Sequence, residues 1–416
     1  MSQDTLAYEQ ALRIVLDASA RRGTEECSIA TCLGRVLATP IVSAVDLPPF
    51  DNSAMDGFAL RGASTLHAGT ELDVEGEQAA GDGIRHAQYG AWEIMTGARM
   101  PDGLDRVIPV EQTERLASGA RVRLLADVAS GQNVRTAGSD VARGENVLDA
   151  GTVLQPQHVM LLAALGVAKV PVAERPRVAV LCTGRELVDD PSQTLASGQI
   201  RNSNGPFLAA RLPLAGAEVV HVETVGDDAV AFESALHRAL NAGAKIIVTS
   251  GAVSMGRYDF VPQALERLGA KTLFHKVAIR PGKPLLFAQL PNNVLLFGLP
   301  GNPIAVAVGL RFFVEPALRV MLGIPSETPR RIPLSKAYSK KPRLRFHLKS
   351  RMHIDAEGRL AVEVLDGQES YRIRPLADAN AWAVVPADVD ALLAGALVDV
   401  YGVGHFEFPL PYEATP

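Results

Sequence analysis

The sequence predicts a multidomain protein of mixed α/β and β class, built around a doubly wound, mostly parallel sheet. Residues 177–322 alternate strand-like and helix-like patterns, and two apolar runs, 178–181 and 246–249, are typical of buried parallel strands. Such alternation indicates a parallel sheet covered by helices. The chain has 416 residues, more than one hydrophobic core usually serves, so we expect several domains.

Changes in composition and residue pattern along the chain predict four domains. Segments 1–45 and 138–174 each contain a helical pattern and are assigned together to a mixed N-terminal domain. Residues 46–137 between them are rich in glycine and short alternating runs, which predicts an inserted β-rich domain. Residues 175–328 are expected to form the α/β domain. Residues 329–416 show short strands broken by proline and glycine, which predicts a small C-terminal β domain.

The elements of the α/β domain follow from apolar spacing. Strands are predicted at 178–181, 218–223, 246–249, 272–279, 285–287 and 294–297, and helices at 206–214, 229–242, 260–268 and 304–322. Pro213 is expected to kink or end the first of these helices, because a helix-interior proline removes a backbone hydrogen bond.

Composition excludes several classes of protein. Hydrophobic residues make up 47% of the chain and charged residues 21%, which is typical of a folded globular protein. The net charge of −5 argues against a nucleic-acid-coating protein, and no apolar run is long enough to span a bilayer. No signal-peptide pattern is visible, and Cys27, Cys32 and Cys182 lack the spacing of zinc ligands. We therefore expect a cytoplasmic protein with reduced thiols and no nucleic-acid or membrane partner.

Four polar loops follow predicted strands of the α/β domain. Because the carboxyl ends of parallel strands meet at one edge of a sheet, these loops are expected to line a common crevice. They are residues 183–186, 226–228, 250–259 and 299–303. The third contains Ser250, Gly251 and Ser254, and its glycines allow backbone N–H groups to approach an anion.

Three carboxylates of these loops, Glu186, Asp227 and Asp259, are candidate ligands of a divalent cation. Such a cluster is costly unless a cation offsets its charge, and Mg²⁺ bound with a phosphate fits that requirement. The alternative for Asp228, directly before a helix, is a helix cap, which we weigh at about two to one over a ligand. Asp259 alone would also be a cap by default.

Cationic and proline-rich segments lie beside these loops. Lys276 precedes the turn 279–284, in which two prolines and Gly282 present Arg280 and Lys283 stiffly. An arginine holds an oxyanion in a fork and a lysine acts as a point charge. The alternative is a surface turn with solvated charges, which composition alone favours.

In the N-terminal half, Asp56, Thr96 and Asp140 lie in loops dense in turn formers, where each alone is more often a turn or cap residue. Pro300 and Pro303 are likewise ordinary in a turn and in a first helical turn. No Walker A, G-x-G-x-x-G, H-E-x-x-H or G-x-S-x-G sequence is present, so P-loop ATPase, nicotinamide dehydrogenase, zincin and esterase functions lose support.

Six motifs in this order resemble one family along essentially the whole chain. They are Phe50-Asp51-Asn52-Ser53-Ala54-Met55-Asp56-Gly57, Met95-Thr96-Gly97, Thr183-Gly184-x-Glu186-Leu187, Ser250-Gly251-x-Val253-Ser254-x-Gly256, Pro281-Gly282-Lys283-Pro284 and Leu299-Pro300-Gly301-Asn302-Pro303. Together they resemble the molybdopterin molybdenumtransferases, the family of MoeA and the gephyrin E domain.

The resemblance implies a homodimer of elongated four-domain subunits, with an α/β domain resembling molybdopterin adenylyltransferase and a C-terminal domain resembling a small β-barrel. It implies insertion of molybdate into adenylylated molybdopterin, with Mg²⁺, to give molybdenum cofactor and AMP. Transient contacts with molybdopterin adenylyltransferase and with cofactor-accepting apoenzymes are expected.

The resemblance also assigns roles residue by residue. Catalytic roles are implied for Asp56, Thr96, Asp140, Glu186, Asp227 and Asp259, metal binding for Glu186, Asp227 and Asp259, and substrate binding for Ser250, Gly251, Ser254, Lys276, Arg280, Lys283, Pro300 and Pro303. We expect Asp227 and Asp259 to handle Mg²⁺ and the pyrophosphate, and the N-terminal part of one subunit to complete the crevice of the other.

The roles expected for the remaining residues concern the oxyanion and the pterin. Arg280 and Lys276 are expected to help bind molybdate, and Glu186 and Asp56 to position the pterin or attacking groups.

The chain departs from the family pattern at a few positions. Arg185 replaces an acid or Asn, Ala252 a glycine, Ala305 a Ser, Ser139 a Glu and Arg280 a Lys. Ala252 matters if the position needs a positive φ. Three alternatives stay open: a specialised or non-catalytic paralogue that acts as a molybdopterin-binding scaffold, an adenylyltransferase, and tungstate in place of molybdate.

Overall fold

The structure, a computed structural model, describes residues 5–252, 260–341, 343–355 and 357–407 and the backbone of residues 412–413. Its internal contacts group the chain into two compact units. The larger contains residues 1–25, 34–38 and 172–416, and the smaller contains residues 26–33 and 39–171. The four domain boundaries expected from the sequence stay a prediction.

A six-stranded sheet forms the centre of the larger unit. Its strands lie in the order Glu218–Val225, Arg177–Thr183, Ile246–Ser250, Val294–Leu299, Leu286–Leu290 and Lys271–His275. The first four are parallel, and the last two pair antiparallel at one side. Every residue of Ile246–Ser250 is buried, as expected for a strand covered on both faces.

Helices cover both faces of this sheet, so the doubly wound architecture predicted from the sequence is present. Successive residues of one strand point to opposite cores: Val178 and Val180 join one apolar cluster, and Ala179 and Leu181 join the other. The first face carries the helices Tyr8–Ala18, Asn204–Leu214, Pro303–Gly309 and Glu315–Leu322, and the second carries Ala229–Asn241 and Val261–Arg267.

Two helices show the effects expected of their sequences. Pro213 lies inside Asn204–Leu214, which ends one residue later. The single helix predicted at 304–322 is instead two α-helices, Pro303–Gly309 and Glu315–Leu322, with a π-helical turn, Leu310–Val314, between them.

The strand predicted at 272–279 is wrong in its second half. Lys271–His275 ends before Lys276, whose φ of 84° lies in the left-handed region and turns the chain. The chain then forms a second, short strand, Ile279–Arg280, which pairs in parallel with Arg345–Ile354 in a different sheet.

That second sheet is the C-terminal one, in the region where short strands were predicted. Its order is Ile279–Arg280, Arg345–Ile354, Ala381–Val385, Leu397–Gly402 and Arg330–Pro333, with Leu360–Val364 and Tyr412–Glu413 also paired to Arg345–Ile354. A bridge from Leu334 to Val362 brings the sheet back on itself around an apolar core. The pair Tyr338–Ser339 and Ala391–Leu392 and the short helix Arg374–Ala377 complete this region.

The smaller unit contains another six-stranded sheet. Its order is Arg106–Pro109, Gly57–Leu60, Ala91–Ile94, Glu71–Gln78, Arg121–Leu124 and Thr113–Leu116. Short pairs join Asn52–Ser53 to Val134–Arg135 and Ile41–Val42 to Asn146–Leu148, and Pro156–Ala164 is helical. Strands Thr24–Ser28 and Lys169–Ala173 lie where the units divide along the chain, and Leu187–Val188 pairs with Ile200–Arg201 in the larger unit. Within the described ranges, no helix is long and apolar enough to cross a bilayer.

Candidate functional site

The parallel strands of the central sheet end side by side. In the register, Thr183 lies opposite Val225, and Ser250 lies opposite both Cys182 and Leu299. The first residue after two of these strands is bonded to the end of the neighbouring strand. Gly184 N donates to Val225 O at 3.1 Å, and Gly251 N donates to Leu299 O at 3.0 Å. The four polar loops expected to converge therefore leave one edge of the sheet.

Glu186 and Asp227 both approach the backbone of the loop 183–186. The Asp227 Oδ2 accepts a hydrogen bond of 3.4 Å from the Arg185 backbone N–H. The Glu186 carboxylate folds back over Gly184, where a Cβ would lie 2.8 Å from each of its oxygens. Both carboxylates are therefore directed at the Gly184–Arg185 backbone, and Asp227 is exposed to solvent.

Asp228 is a helix cap, as the alternative considered for it predicted. Its carboxylate accepts from Val230 N at 3.3 Å and from Ala231 N at 3.0 Å at the start of Ala229–Asn241. The neighbouring Asp227 takes no part in this cap, and its one described hydrogen bond is the 3.4 Å contact with the Arg185 N–H.

Two predicted site residues, Ser254 and Asp259, lie outside the described residues. In the part of the chain that the structure describes, no three His, Cys, Asp or Glu side chains lie close enough to hold a metal. Glu186 and Asp227, the two described carboxylates of the predicted set, are ligands of the type that Mg²⁺ takes, since this ion commonly binds one or two protein carboxylates and completes its shell with water and phosphate oxygens.

The loop after Ile246–Ser250 demands unusual backbone angles. Gly251 has a φ of +94°, and a Cβ there would lie 2.5 Å from Thr183 O, so only glycine fits. Ser250 accepts a hydrogen bond from Thr183 Oγ1 at 3.2 Å through its carbonyl. Ala252 has a φ of 50°, so the position where the family usually has glycine does adopt a left-handed conformation here.

A cleft of about 470 Å³ lies beside these strand ends. Arg280 and Lys283, both exposed, contribute cationic side chains to it. Its lining comprises Ile279, Arg280, Pro281, Gly282, Lys283, Pro284, Pro300, Asn302, Ala305, Leu344, Gln368, Glu369, Ser370 and Tyr371. The arginine is held from one side by the pairing of Ile279–Arg280 with Arg345–Ile354, and its guanidinium carbon lies 5.2 Å from the ring centre of Phe346.

The loop 299–303, called the proline loop below, lies next to both this cleft and the loop after Ser250. Pro300 and Asn302 line the cleft, while a Cβ on Gly301 would lie 3.8 Å from the Gly251 Cα. The Asn204 Nδ2 donates to Gly301 O at 2.8 Å and helps to fix this loop.

The structure does not bring every predicted residue of the larger unit to the cleft. Lys276 is a chain-reversal residue whose backbone bonds to Leu6 and Leu285, and it is absent from the described lining. Pro303 begins the helix Pro303–Gly309, as ordinary first-turn prolines do. The lining segment 368–371 carries no motif, and sequence reasoning missed it.

In the smaller unit, Asp56 and Thr96 form a close pair. The Asp56 Oδ1 accepts from the Thr96 backbone N–H at 2.6 Å and from its hydroxyl at 2.9 Å. These two hydrogen bonds hold the pKa of the Asp56 carboxyl below its usual value. Asp140 is exposed and is placed by a different segment, because its backbone N–H donates to Leu47 O at 2.9 Å. Catalytic roles for all three stay predictions.

Models of three protein families match successive parts of the chain. Residues 6–166 match the MoeA N-terminal region (domain I and II), residues 179–320 match a probable molybdopterin binding domain, and residues 331–403 match the MoeA C-terminal region (domain IV).

Relatives and a solved structure agree over nearly the full length. A protein of Synechococcus elongatus named molybdopterin molybdenumtransferase is 37% identical over 95% of this chain and 99% of its own length. A Bacillus subtilis protein of that name is 34% identical over 95% and 93%. The crystal structure of the molybdopterin biosynthesis moeA protein from Pyrococcus horikoshii OT3 superposes with a TM-score of 0.81 at 30% identity, over 95% of this chain and 99% of that one. The chain belongs to the MoeA family, and the family predicted from its motifs is confirmed.

The two adjacent aspartates give a first test of the site. Asp228→Ala should lower the free energy of unfolding by about 1 kcal/mol, because it removes the cap of Ala229–Asn241. Asp227→Ala should leave the free energy of unfolding within about 0.5 kcal/mol of the native value. Urea unfolding of both variants measures these changes. Equal losses of stability would contradict the conclusion that Asp228 caps the helix and Asp227 does not.

A second test concerns Ala252. A left-handed conformation costs a residue with a Cβ about 1–2 kcal/mol, so Ala252→Gly should raise the free energy of unfolding by up to about 1 kcal/mol after the added freedom of the unfolded chain is subtracted. The control Ala231→Gly, in a helix, should lower it by about 0.5–1 kcal/mol. Destabilisation by both changes, again in urea, would show that Ala252 is not strained.

Proposed function

We propose that this member of the MoeA family inserts molybdate into adenylylated molybdopterin, releasing AMP and forming molybdenum cofactor, with Mg²⁺ as the required cation. One geometric observation carries the proposal: a cleft with two exposed cationic side chains, Arg280 and Lys283, is also lined by Pro300 and Asn302, and a Cβ on Gly301 between them would lie 3.8 Å from the Gly251 Cα at the end of the neighbouring strand. The names of the full-length relatives support the same reaction.

The cleft is suited to a tetrahedral oxyanion. The Arg280 guanidinium offers a planar fork of N–H donors, and the Lys283 ammonium adds a point charge on the same wall. The carboxylate of Glu369, also in the lining, is paired with Arg372 at 3.1 Å, so its charge is partly neutralised. Molybdate, or tungstate of the same charge, therefore meets a net cationic surface here.

The loops that carry Glu186 and Asp227 are suited to the pyrophosphate of adenylylated molybdopterin. Asp227 and Glu186, together with Asp259, would hold Mg²⁺, which when bound offsets phosphate charge and stabilises the departing AMP. The strand Ile246–Ser250 ends at the same edge of the sheet, where Ser250 lies opposite Cys182 of the strand that leads to Glu186. In this proposal, water adds across the phosphoanhydride bond of the substrate at this edge, which releases AMP and leaves the phosphate on the pterin.

The substrate's own dithiolene sulfurs receive the metal, so the reaction needs no protein thiolate. The burial of the protein's cysteines is consistent with a reaction that uses no protein thiolate, since Cys27, Cys32 and Cys182 are all buried. Burial raises the pKa of the Cys182 thiol, which keeps it protonated near the strand ends.

We further propose a cytoplasmic homodimer in which Asp56, Thr96 and Asp140 of one subunit complete the crevice of the other. Molybdopterin adenylyltransferase would deliver the substrate, and cofactor-accepting apoenzymes would take the product. The Asp56–Thr96 pair supports this role, because two hydrogen bonds fix the carboxylate in its charged form for contact with a pterin or an attacking group.

The proposal is tested by AMP release and cofactor formation from purified adenylylated molybdopterin with molybdate and Mg²⁺. Turnover should require molybdate. Arg280→Ala should raise KM for molybdate at least about tenfold, since a hydrogen bond to a charged group contributes about 1.5–3 kcal/mol. Arg331→Ala, which removes an exposed arginine of the C-terminal sheet paired with Asp399, is the matched control and should behave as the native protein.

Two outcomes would contradict the proposal. Tight binding of adenylylated molybdopterin without AMP release would favour a scaffold or a departed paralogue. Adenylyl transfer from ATP to molybdopterin, without a need for molybdate, would favour an adenylyltransferase.

A further inference from the structure

Lys349 is a fully buried lysine in the middle of the strand Arg345–Ile354. Its side chain has 0% exposure, although lysine is among the residues rarely buried without a partner. Burial lowers the pKa of its ammonium, and the nearby Glu369 carboxylate opposes that effect. A buried ammonium is costly unless hydrogen bonds satisfy it, so its partners indicate what it does.

Among the residues that the structure describes, the hydrogen-bond partners of this ammonium belong to one loop, residues 366–372. The Nζ donates to the carbonyl oxygens of Gly367 at 2.6 Å, Arg372 at 3.0 Å and Glu369 at 3.4 Å. The loop is fastened to the backbone of Lys349 as well. The Gln368 side chain accepts from Lys349 N at 3.1 Å and donates to Lys349 O at 2.8 Å.

The other side of this loop is a wall of the cationic cleft. Residues 368–371 line it together with the turn that carries Arg280 and Lys283. The Ser370 carbonyl also accepts from Ile304 N at 3.0 Å, which ties the loop to the helix that follows the proline loop. The position of the wall, and with it the width of the cleft, therefore depends on how firmly the loop is held.

We propose that Lys349 is a positioning residue for oxyanion binding: without touching the anion, it holds the 366–372 loop at the distance at which the cleft fits a tetrahedral oxyanion. This inference rests on the proposed function. A methionine of similar size would fill the same space but leave the carbonyls of Gly367, Glu369 and Arg372 without their shared donor. The loop would then move while the sheet behind it stays folded.

The test compares Lys349→Met with Lys336→Met, a matched change at an exposed lysine of the same sheet region that pairs with Glu363. Molybdate affinity is measured by calorimetry on the full chain, and KM and kcat in the AMP-release assay. Lys349→Met should raise Kd and KM for molybdate about tenfold with kcat at saturating molybdate changed less than about threefold, because a small displacement of binding groups is costly. Lys336→Met should match the native protein.

Hydrogen exchange separates positioning from a general structural role. In Lys349→Met, the Ile304 amide and residues 366–372 should exchange faster, whereas Ala381–Val385 and Leu397–Gly402 should keep native protection. If Lys349→Met does not fold, the shorter Lys349→Gln is measured in the same assays with the same expectation.

The proposal is overturned by native Kd and KM for molybdate in a folded Lys349 variant. It is also overturned if hydrogen exchange in that variant rises evenly across the whole C-terminal sheet.

Failure of the proposed function and failure of the role of Lys349 give different results. A native protein without molybdate-dependent AMP release contradicts the proposed function, whereas an active native protein with an equally active, equally tight-binding Lys349→Met contradicts only the role of Lys349.

Discussion

The common ending of the parallel strands is the constraint on which the site depends. Arg177–Thr183 is hydrogen-bonded on both sides, and Ile246–Ser250 pairs in turn with Val294–Leu299, so the loops after these strands leave the sheet at one level. Polar and charged side chains that are far apart in sequence are thereby delivered to one edge. A shift of one residue in this register would also exchange the two apolar cores, because successive side chains face opposite helical layers.

A second constraint joins the α/β sheet to the C-terminal sheet. The short strand Ile279–Arg280 continues from the first sheet but pairs with Arg345–Ile354 of the second. The same long strand carries Lys349, which bonds to the loop 366–372, another part of the cleft lining. Both parts of the lining are therefore fastened to one strand, although the two sheets were predicted as separate domains.

Local patterns made much of this predictable, and long-range contacts limited the rest. The apolar runs predicted the central strands, and Asp228 before a helical pattern predicted its cap. The break at Lys276 was missed, because alternating residues on both sides of a left-handed turn look like one strand. The wall formed by residues 368–371 had no signal at all, since its place depends on a buried lysine about twenty residues earlier in the chain. Nothing in an alternating strand distinguishes Lys349 from a surface lysine.

The most direct test of the account is to locate the oxyanion itself. Crystals of the protein grown with tungstate, whose heavy atom scatters anomalously, should show a single strong peak in the cleft, within hydrogen-bond distance of the Arg280 guanidinium and the Lys283 ammonium and facing residues 368–371. A cleft without density, with tungstate bound instead at another surface, would contradict the assignment of this cleft as the oxyanion site.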